Sequence, residues 1–228
     1  RLWREHPRDP GCGGSGGLIL IFDLDGTLVD SAPDIRAAVN LMLAGEGLGP
    51  LDLPTVTGFV GNGMPKLVER VMAAKGIDPA RHKALTQVTL DHYNAAPSAL
   101  TRPYAHVPQA LAALEAAGHR LAVCTNKPEA PARAILADLG LARHFPVIVG
   151  GDTLPARKPD PAPALECVKA LGGGAAVFIG DSEVDAETAA AAGLPFYLFT
   201  EGYRKSPVSA LPHRAGFSDF AALPGLIG

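Results

Sequence analysis

Long apolar runs are missing from this chain. No fully apolar stretch exceeds five residues, Leu18 to Phe22 being representative, whereas a helix needs about 20 to cross a bilayer. A membrane-spanning helix is excluded, and no membrane partner is expected. Cysteine is scarce: Cys12, Cys124 and Cys167 form an odd set without CxxC spacing, which argues against a disulfide framework and for a reduced, cytoplasmic setting. Charge of one sign is lacking too. Twenty Lys and Arg against 23 Asp and Glu leave a formal net charge of -3, so no positive field exists to hold a polyanion, and nucleic acid is not an expected partner. Charged residues are 19% and hydrophobic residues 47% of the chain, a balance that excludes disorder throughout and a charged coiled coil. Residues 1–17, RLWREHPRDPGCGGSGG, have no apolar signal segment, and the first methionine is Met42. They read as a disordered tail or a cloning remnant.

What remains is a globular pattern. The length of 228 residues allows one large domain, or one domain with a modest insertion. Five short apolar runs, Leu18 to Phe22, Leu121 to Cys124, Val147 to Val149, Ala175 to Ile179 and Pro195 to Phe199, lack polar alternation, as strands buried on both faces do. Helical patterns separate the later ones: Val107 to Ala117, Glu129 to Leu139, Pro161 to Leu171 and Val184 to Ala192, each followed by glycine. This alternation predicts an α/β fold, a parallel Rossmann-like sheet flanked by helices. Between the first and second runs the alternation stops, and Asp34 to Ala44, Pro65 to Ala74 and Pro79 to Ala95 carry helical spacing instead. We expect a core domain of residues 18–32 and 103–228 with a small helical cap domain, 33–102, inserted through hinges at Asp30 to Pro33 and Thr101 to Pro103. There is no internal repeat.

In doubly wound sheets, ligands bind beyond the carboxyl ends of the strands. Asp23, Leu24, Asp25, Gly26 and Thr27 follow the first run, and Thr125, Asn126 and Lys127 follow the second. Lys158-Pro159-Asp160-Pro161 precedes a later helix, and Asp181, Ser182 and Asp185 follow the fourth run. Singly, each has a structural explanation: Asp-Gly is a turn signal, Thr-Asn or Asp-Ser a helix cap, Lys158 an exposed loop lysine. Four polar clusters at the end of the sheet where ligands bind point to an active site. Asp23 and Asp25, two apart on an extended segment about to turn, can both reach one small site. Four carboxylates converging there repel one another by about 4 kcal/mol per close pair at an effective dielectric of 20. Such a site calls for cations, and an all-oxygen donor set suits Mg2+.

FDLDGTLVDS, CTNKP, KPDP and GDSEVDAETAAAAG, in that order, resemble the four motifs of the haloacid dehalogenase superfamily. GFVGNGMPKLVERV, the TNKP form of the second motif, the run Val147 to Asp152, and Glu201-Gly202-Tyr203 are similar to those of phosphoglycolate phosphatases within it. The resemblance implies an aspartyl-phosphate mechanism with Asp23 as nucleophile and Asp25 as general acid and base, an environment keeping Asp25 protonated in the first half-reaction. It implies Mg2+ held by the Asp23 carboxylate, the Asp25 carbonyl and Asp181, with Asp185 acting through water, and Lys158 between Asp23 and the phosphoryl group. Thr125, Asn126 and the N–H groups of the Leu24, Gly26 and Thr27 turn would hold phosphoryl oxygens.

The substrate implied is a small phosphorylated carboxylate, 2-phosphoglycolate first, with Lys66 the cap residue expected to meet its carboxylate and Arg36 and Arg70 weaker candidates. A sugar phosphate, pyrophosphate, a phosphomutase reaction and a non-catalytic phosphate-binding module stay open as alternatives. A dehalogenase does not use the acid Asp25 supplies, and a mutase calls for a histidine early in the cap where Asp34-Ile35-Arg36 has none. Ala105-His106 departs from the Pro-Gly frequent in relatives before the post-cap helix. The polar and apolar tail beyond Ser206 suggests only surface packing, and the sequence is silent on oligomeric state.

Overall fold

The computed structural model describes residues 17–96 and 98–228. The expected tail, apart from Gly17, lies outside the described residues, as does Cys12. From the first strand, β1 (Ile19–Phe22), the chain makes a tight loop into β2 (Val29–Asp30). It continues through α1 (Ala32–Gly45), α2 (Leu53–Thr57), α3 (Met64–Lys75) and α4 (His82–Ala95), and returns at β3 (Arg102–Pro103). Alternation then resumes: α5 (Val107–Ala116), β4 (Arg120–Cys124), α6 (Glu129–Asp138), β5 (Val147–Val149), α7 (Ala162–Ala170), β6 (Ala176–Gly180), α8 (Glu183–Ala192), β7 (Phe196–Phe199), β8 (Ala215–Phe217) and α9 (Leu223–Ile227). Among the described residues no helix is long and apolar enough to cross a membrane.

Six strands form one all-parallel sheet in the order β5-β4-β1-β6-β7-β8. The chain leaves β1 toward β4 on one side and later toward β6 on the other, so the strand order reverses at β1. This is where an open α/β sheet leaves a crevice beyond its carboxyl ends. Leu20, Phe22, Val123 and Ile179 point into one core with Leu111, Ile135 and Leu223 of α5, α6 and α9. Their strand neighbours Ile21, Cys124 and Phe178 point into the other, with Ala164, Cys167 and Ala189 of α7 and α8. The period of two explains why the runs read as unbroken apolar sequence. All four side chains of β1 are fully buried, and at roughly 1.5 to 3 kcal/mol each they fix the strand that carries the first motif. Cys124 and Cys167 are free and buried.

The expected strands and most helices are present within a residue or two of their predicted bounds, with several corrections. The tail is not mere surface packing. Residues 215–217 form the sixth strand, and Phe199, Phe217 and Phe220 stack with ring centroids 5.1 to 5.5 Å apart. Three residues including a glycine are too short a run to read as a strand. The two expected hinges are a paired ribbon: Val29 and Asp30 lie antiparallel to Pro103 and Arg102, because two adjacent crossings satisfy each other's backbone groups. Asp34 closes the ribbon from within α1, accepting from Leu100 N–H, Thr101 N–H and Thr101 Oγ1 at 2.6 to 3.0 Å. The helix expected over Pro79 to Ala95 begins as a 3-10 turn, Pro79–Arg81, capped by Asp78, before α4. Asp52 caps the short α2, which the periodicity does not reveal. His106 takes the left-handed φ of 63° that glycine adopts readily, with Asp219 2.7 Å from its Nδ1.

Candidate active site

The N–H of Asp23 donates to Ile179 O of β6 at 2.9 Å, so this carboxylate sits at the point where the sheet divides. The chain then turns within five residues: Gly26 N–H donates to Val29 O, and the N–H groups of Thr27, Leu28 and Val29 converge on Leu24 O. Gly26 has φ 86°, and a Cβ there would lie 2.6 Å from Asp181 Oδ2, so only glycine lets the two motifs meet. Gly202 closes the site from the other side, where a Cβ would fall 2.3 Å from Asp181 Cβ.

Asp23, Asp181 and Asp185 are buried, and each offers a carboxylate oxygen within 4.8 Å of the others. Lys158 is almost wholly buried against them, its Nζ 2.9 Å from Asp23 Oδ1 and 2.6 Å from Asp185 Oδ1. Burial pulls the Lys158 ammonium toward neutrality, but the Asp185 and Asp23 carboxylates outweigh it and raise its pKa above the ordinary lysine value. Burial and then the Asp185 charge push the Asp23 carboxyl up from 3.8 to about 7, with Lys158 an incomplete offset. Burial, Asp185 and Asp23 likewise raise Asp181 well above the carboxylate range. Asp185 is the most committed of the three. Its Oδ2 accepts from Asp181 N–H, Ser182 N–H and Ser182 Oγ as one half of the capping box of α8, and its Oδ1 holds Lys158. It therefore anchors Lys158 and the turn after β6, and accepts more hydrogen bonds than Asp23 or Asp181.

Asp25 faces the helical insertion. Ser31 Oγ donates to its Oδ1 at 2.6 Å, and Lys127 Nζ lies 3.0 to 3.1 Å from both oxygens. Four carboxylates, Asp23, Asp25, Asp181 and Asp185, stand against two ammonium groups, Lys127 and Lys158. The two uncompensated negative charges, and carboxylates pushed toward protonation, fit a hard divalent cation bound through oxygen.

Thr125 and Asn126 line the cleft between the strand ends and the insertion, a space of about 590 Å³ including its mouth. Asn126 Nδ2 donates to Lys158 O at 3.1 Å and to Gly61 O of the insertion at 3.3 Å. The turn departs from expectation. Gly26 N–H donates to Val29 O and Thr27 N–H to Leu24 O, so two of the three donors expected to face a phosphoryl group are held inside the turn, while Leu24 N–H points at the site and donates to Asp23 Oδ1. Thr27 meets the site through its hydroxyl instead, donating to Asp181 Oδ1 at 2.6 Å. Lys66 is not brought to the cleft: its Nζ pairs with Glu69 at 2.6 Å and its side chain is 47% exposed. Arg36 is exposed. Arg70 braces the loop before α3, donating to Phe59 O and Asn62 Oδ1.

Sequence reasoning assigned nothing to Lys127, Tyr93, Ser31 or Tyr203. Lys127 stood in a quoted motif without a role. Tyr93 ends a stripe of Leu85, Thr89 and Tyr93 at four-residue spacing on α4, which marks an inward face but not what it meets. Tyr203 links metal-side and hinge-side elements: its N–H donates to Asp181 Oδ2, its hydroxyl donates to Asp30 Oδ1, and that hydroxyl accepts from Ala32 N–H.

The chain is similar to known proteins over most of its length. Residues 19–193 match the haloacid dehalogenase-like hydrolase family. A phosphoglycolate phosphatase of Cereibacter sphaeroides is 53% identical over 210 residues, covering 91% of this chain and 96% of the relative. One from Rhodobacter capsulatus is 46% identical over 210 residues, covering 91% and 95%. A crystal structure from Haemophilus somnus, described as a predicted phosphoglycolate phosphatase, superposes with a TM-score of 0.86 at 31% identity, over 95% of this chain and all of the other.

Proposed function

The chain belongs to the haloacid dehalogenase-like hydrolase family, and from that premise we propose that it is a Mg2+-dependent phosphatase converting 2-phosphoglycolate to glycolate and phosphate. The observation that carries the reading is the Asp23, Lys158 and Asp181 constellation at the carboxyl end of β1, open to a cleft that also holds Asp25. The names of the relatives favour the substrate.

In this reading an Asp23 oxygen attacks phosphorus and the ester P–O bond breaks, while Asp25 gives its proton to the leaving alkoxide. Asp25 then takes a proton from the water that attacks the aspartyl-phosphate, and inorganic phosphate leaves with Asp23 restored. Lys158, held by Asp185, lowers the repulsion between the carboxylate and the incoming phosphoryl group. Thr125 and Asn126 position the phosphoryl oxygens. Asp23, the Asp25 carbonyl and Asp181 would hold Mg2+, which when bound supplies Lewis-acid stabilisation of the phosphoryl charge. The helices of residues 33–102 act as a cap over the core formed by 18–32 and 103–228, excluding bulk water during the reaction. The setting is cytoplasmic.

The test is phosphate release with Mg2+ across 2-phosphoglycolate, sugar phosphates, pyrophosphate and p-nitrophenyl phosphate. We expect 2-phosphoglycolate to lead in kcat/KM by about a hundredfold, ~2.7 kcal/mol of differential transition-state binding. Equal rates on all esters, or a different leader, overturn the substrate. Activity surviving both chelation and Asp25→Asn overturns the mechanism.

A further inference from the structure

Two buried polar atoms among the described residues have no hydrogen-bond partner: Tyr93 Oη and Asn126 Oδ1. Both residues line the cleft that holds Asp23 and Asp25. A buried hydroxyl without a partner forgoes about 1 to 3 kcal/mol, a cost that a ligand bonding to it would remove. Burial pushes the Tyr93 hydroxyl above its ordinary pKa despite the nearby Lys127 charge, so it remains a donor. Beside it stands Lys127, its Nζ 4.6 Å from the Tyr93 ring centroid and paired with Asp25. Lys127 is itself only 8% exposed. The remaining wall is apolar, with Ile35, Val60, Leu67 and Leu90 from the insertion and Pro128 and Pro131 from the core. A buried ammonium and an unpartnered hydroxyl donor, set between these apolar side chains and the Asp23, Asp25, Thr125 and Asn126 side of the cleft, form a site for a small anion.

Position narrows the anion. Lys127 lies 3.0 Å from Asp25, the group that protonates the leaving oxygen in the mechanism above. Whatever Lys127 meets is therefore a near neighbour of that oxygen. In an α-hydroxy acid the carboxylate carbon is two bonds from it. We propose that Lys127 and Tyr93 are the residues that read the leaving group's carboxylate, Lys127 Nζ taking one oxygen and Tyr93 Oη the other. The proposal rests on the reading of the substrate as a phosphorylated carboxylate, and it puts recognition at the junction of core and insertion. Without the anion Lys127 is held by Asp25; with the carboxylate bound, Lys127 turns to it and Asp25 faces the leaving oxygen.

The measurement is the ratio of kcat/KM for 2-phosphoglycolate to that for ethyl phosphate, which has a methyl group in place of the carboxylate, in wild type, Tyr93→Phe, Lys127→Gln and Lys66→Gln. The ratio cancels any loss of chemistry caused by leaving Asp25 unpaired. We expect it to fall about tenfold in Tyr93→Phe and about a hundredfold in Lys127→Gln, the sizes of a lost neutral and a lost charged donor. Tyr93→Phe removes a single oxygen and keeps the ring against Lys127, so it decides the matter alone if Lys127→Gln does not fold. A wild type that prefers 2-phosphoglycolate while Tyr93→Phe and Lys127→Gln keep its ratio overturns this inference and leaves the proposed substrate standing. If only Lys66→Gln lowers the ratio, the carboxylate is read from the helix surface and the inference falls. A wild type with no preference overturns both readings.

Discussion

The two halves of the cleft are built on opposite terms. On the sheet side, Lys158, Asp185, Asp181 and Thr27 bond one another, and Ser182 and Tyr203 complete the set. On the side facing the insertion, Tyr93 Oη and Asn126 Oδ1 are left open, and Lys127 rests on the Asp25 carboxylate and against the Tyr93 ring. A reaction whose charge develops at one place is served by groups that do not move, since their reorganisation is already complete. A recognition site keeps polar groups that only the right ligand satisfies, because an unfilled one is what penalises the wrong ligand.

Substitutions on the sheet side should slow every ester alike, those on the insertion side should sort them, and the largest effect belongs to the nucleophile. Asp23→Asn is expected to lower kcat by more than about 10³-fold on all substrates, with no acyl-phosphate trapped by acid quench and the fold retained by circular dichroism. Selective loss on 2-phosphoglycolate alone would move Asp23 to the recognition half. Next is Lys158→Met, which leaves Asp23 and Asp185 buried without their cation. Urea unfolding in chelator should show a loss of about 3 to 5 kcal/mol, and an unchanged midpoint would mean that the buried pair holds nothing.

A smaller effect follows from pH. Asp23 has its pKa raised from 3.8 to about 7. Below both values the folded and unfolded chains are equally protonated; between them the folded protein keeps a proton that the unfolded chain has lost. Stability of the metal-free protein therefore falls as pH rises from about 4 to 7 and then levels. Asp181 shifts in the same direction, so Mg2+ should raise Tm more at pH 8 than at pH 5. An equal gain at both would separate the metal from these carboxylates. The smallest effect is expected outside both halves, at His106→Gly. It relieves a left-handed residue but forfeits an exposed pair with Asp219, so unfolding free energy should change by less than about 1 kcal/mol.

Much of the sheet side was legible in sequence because its ingredients are local. Asp23 and Asp25 follow an apolar run and Asp181 follows another, and runs buried on both faces announce strands whose ends make the site. Gly26 reads in sequence as part of a turn, and what it approaches, Asp181, lies 155 positions away. The N–H groups of Gly26 and Thr27 are turned away from the site because a turn this tight bonds itself, which spacing does not show. Lys66 is a candidate by its placement in the helical insertion, but its exposure and its Glu69 partner depend on which side of α3 meets the core. The sixth strand was missed because three residues with a central glycine carry too little pattern.

Composition and local order by themselves determined an α/β chain with a helical interruption after its first strand, four polar clusters at strand ends, and a slightly negative net charge. Those properties depend on side-chain chemistry and on periods of two and 3.6 residues, which a sequence displays directly. Tertiary structure alone decided that Asp185 is spent on Lys158 and the α8 cap, that Lys127 pairs with Asp25, and that Tyr93 of the insertion faces the cleft with its hydroxyl unpartnered. Each is a meeting of groups from separate segments, and whether a buried donor finds an acceptor there is fixed only when the segments pack.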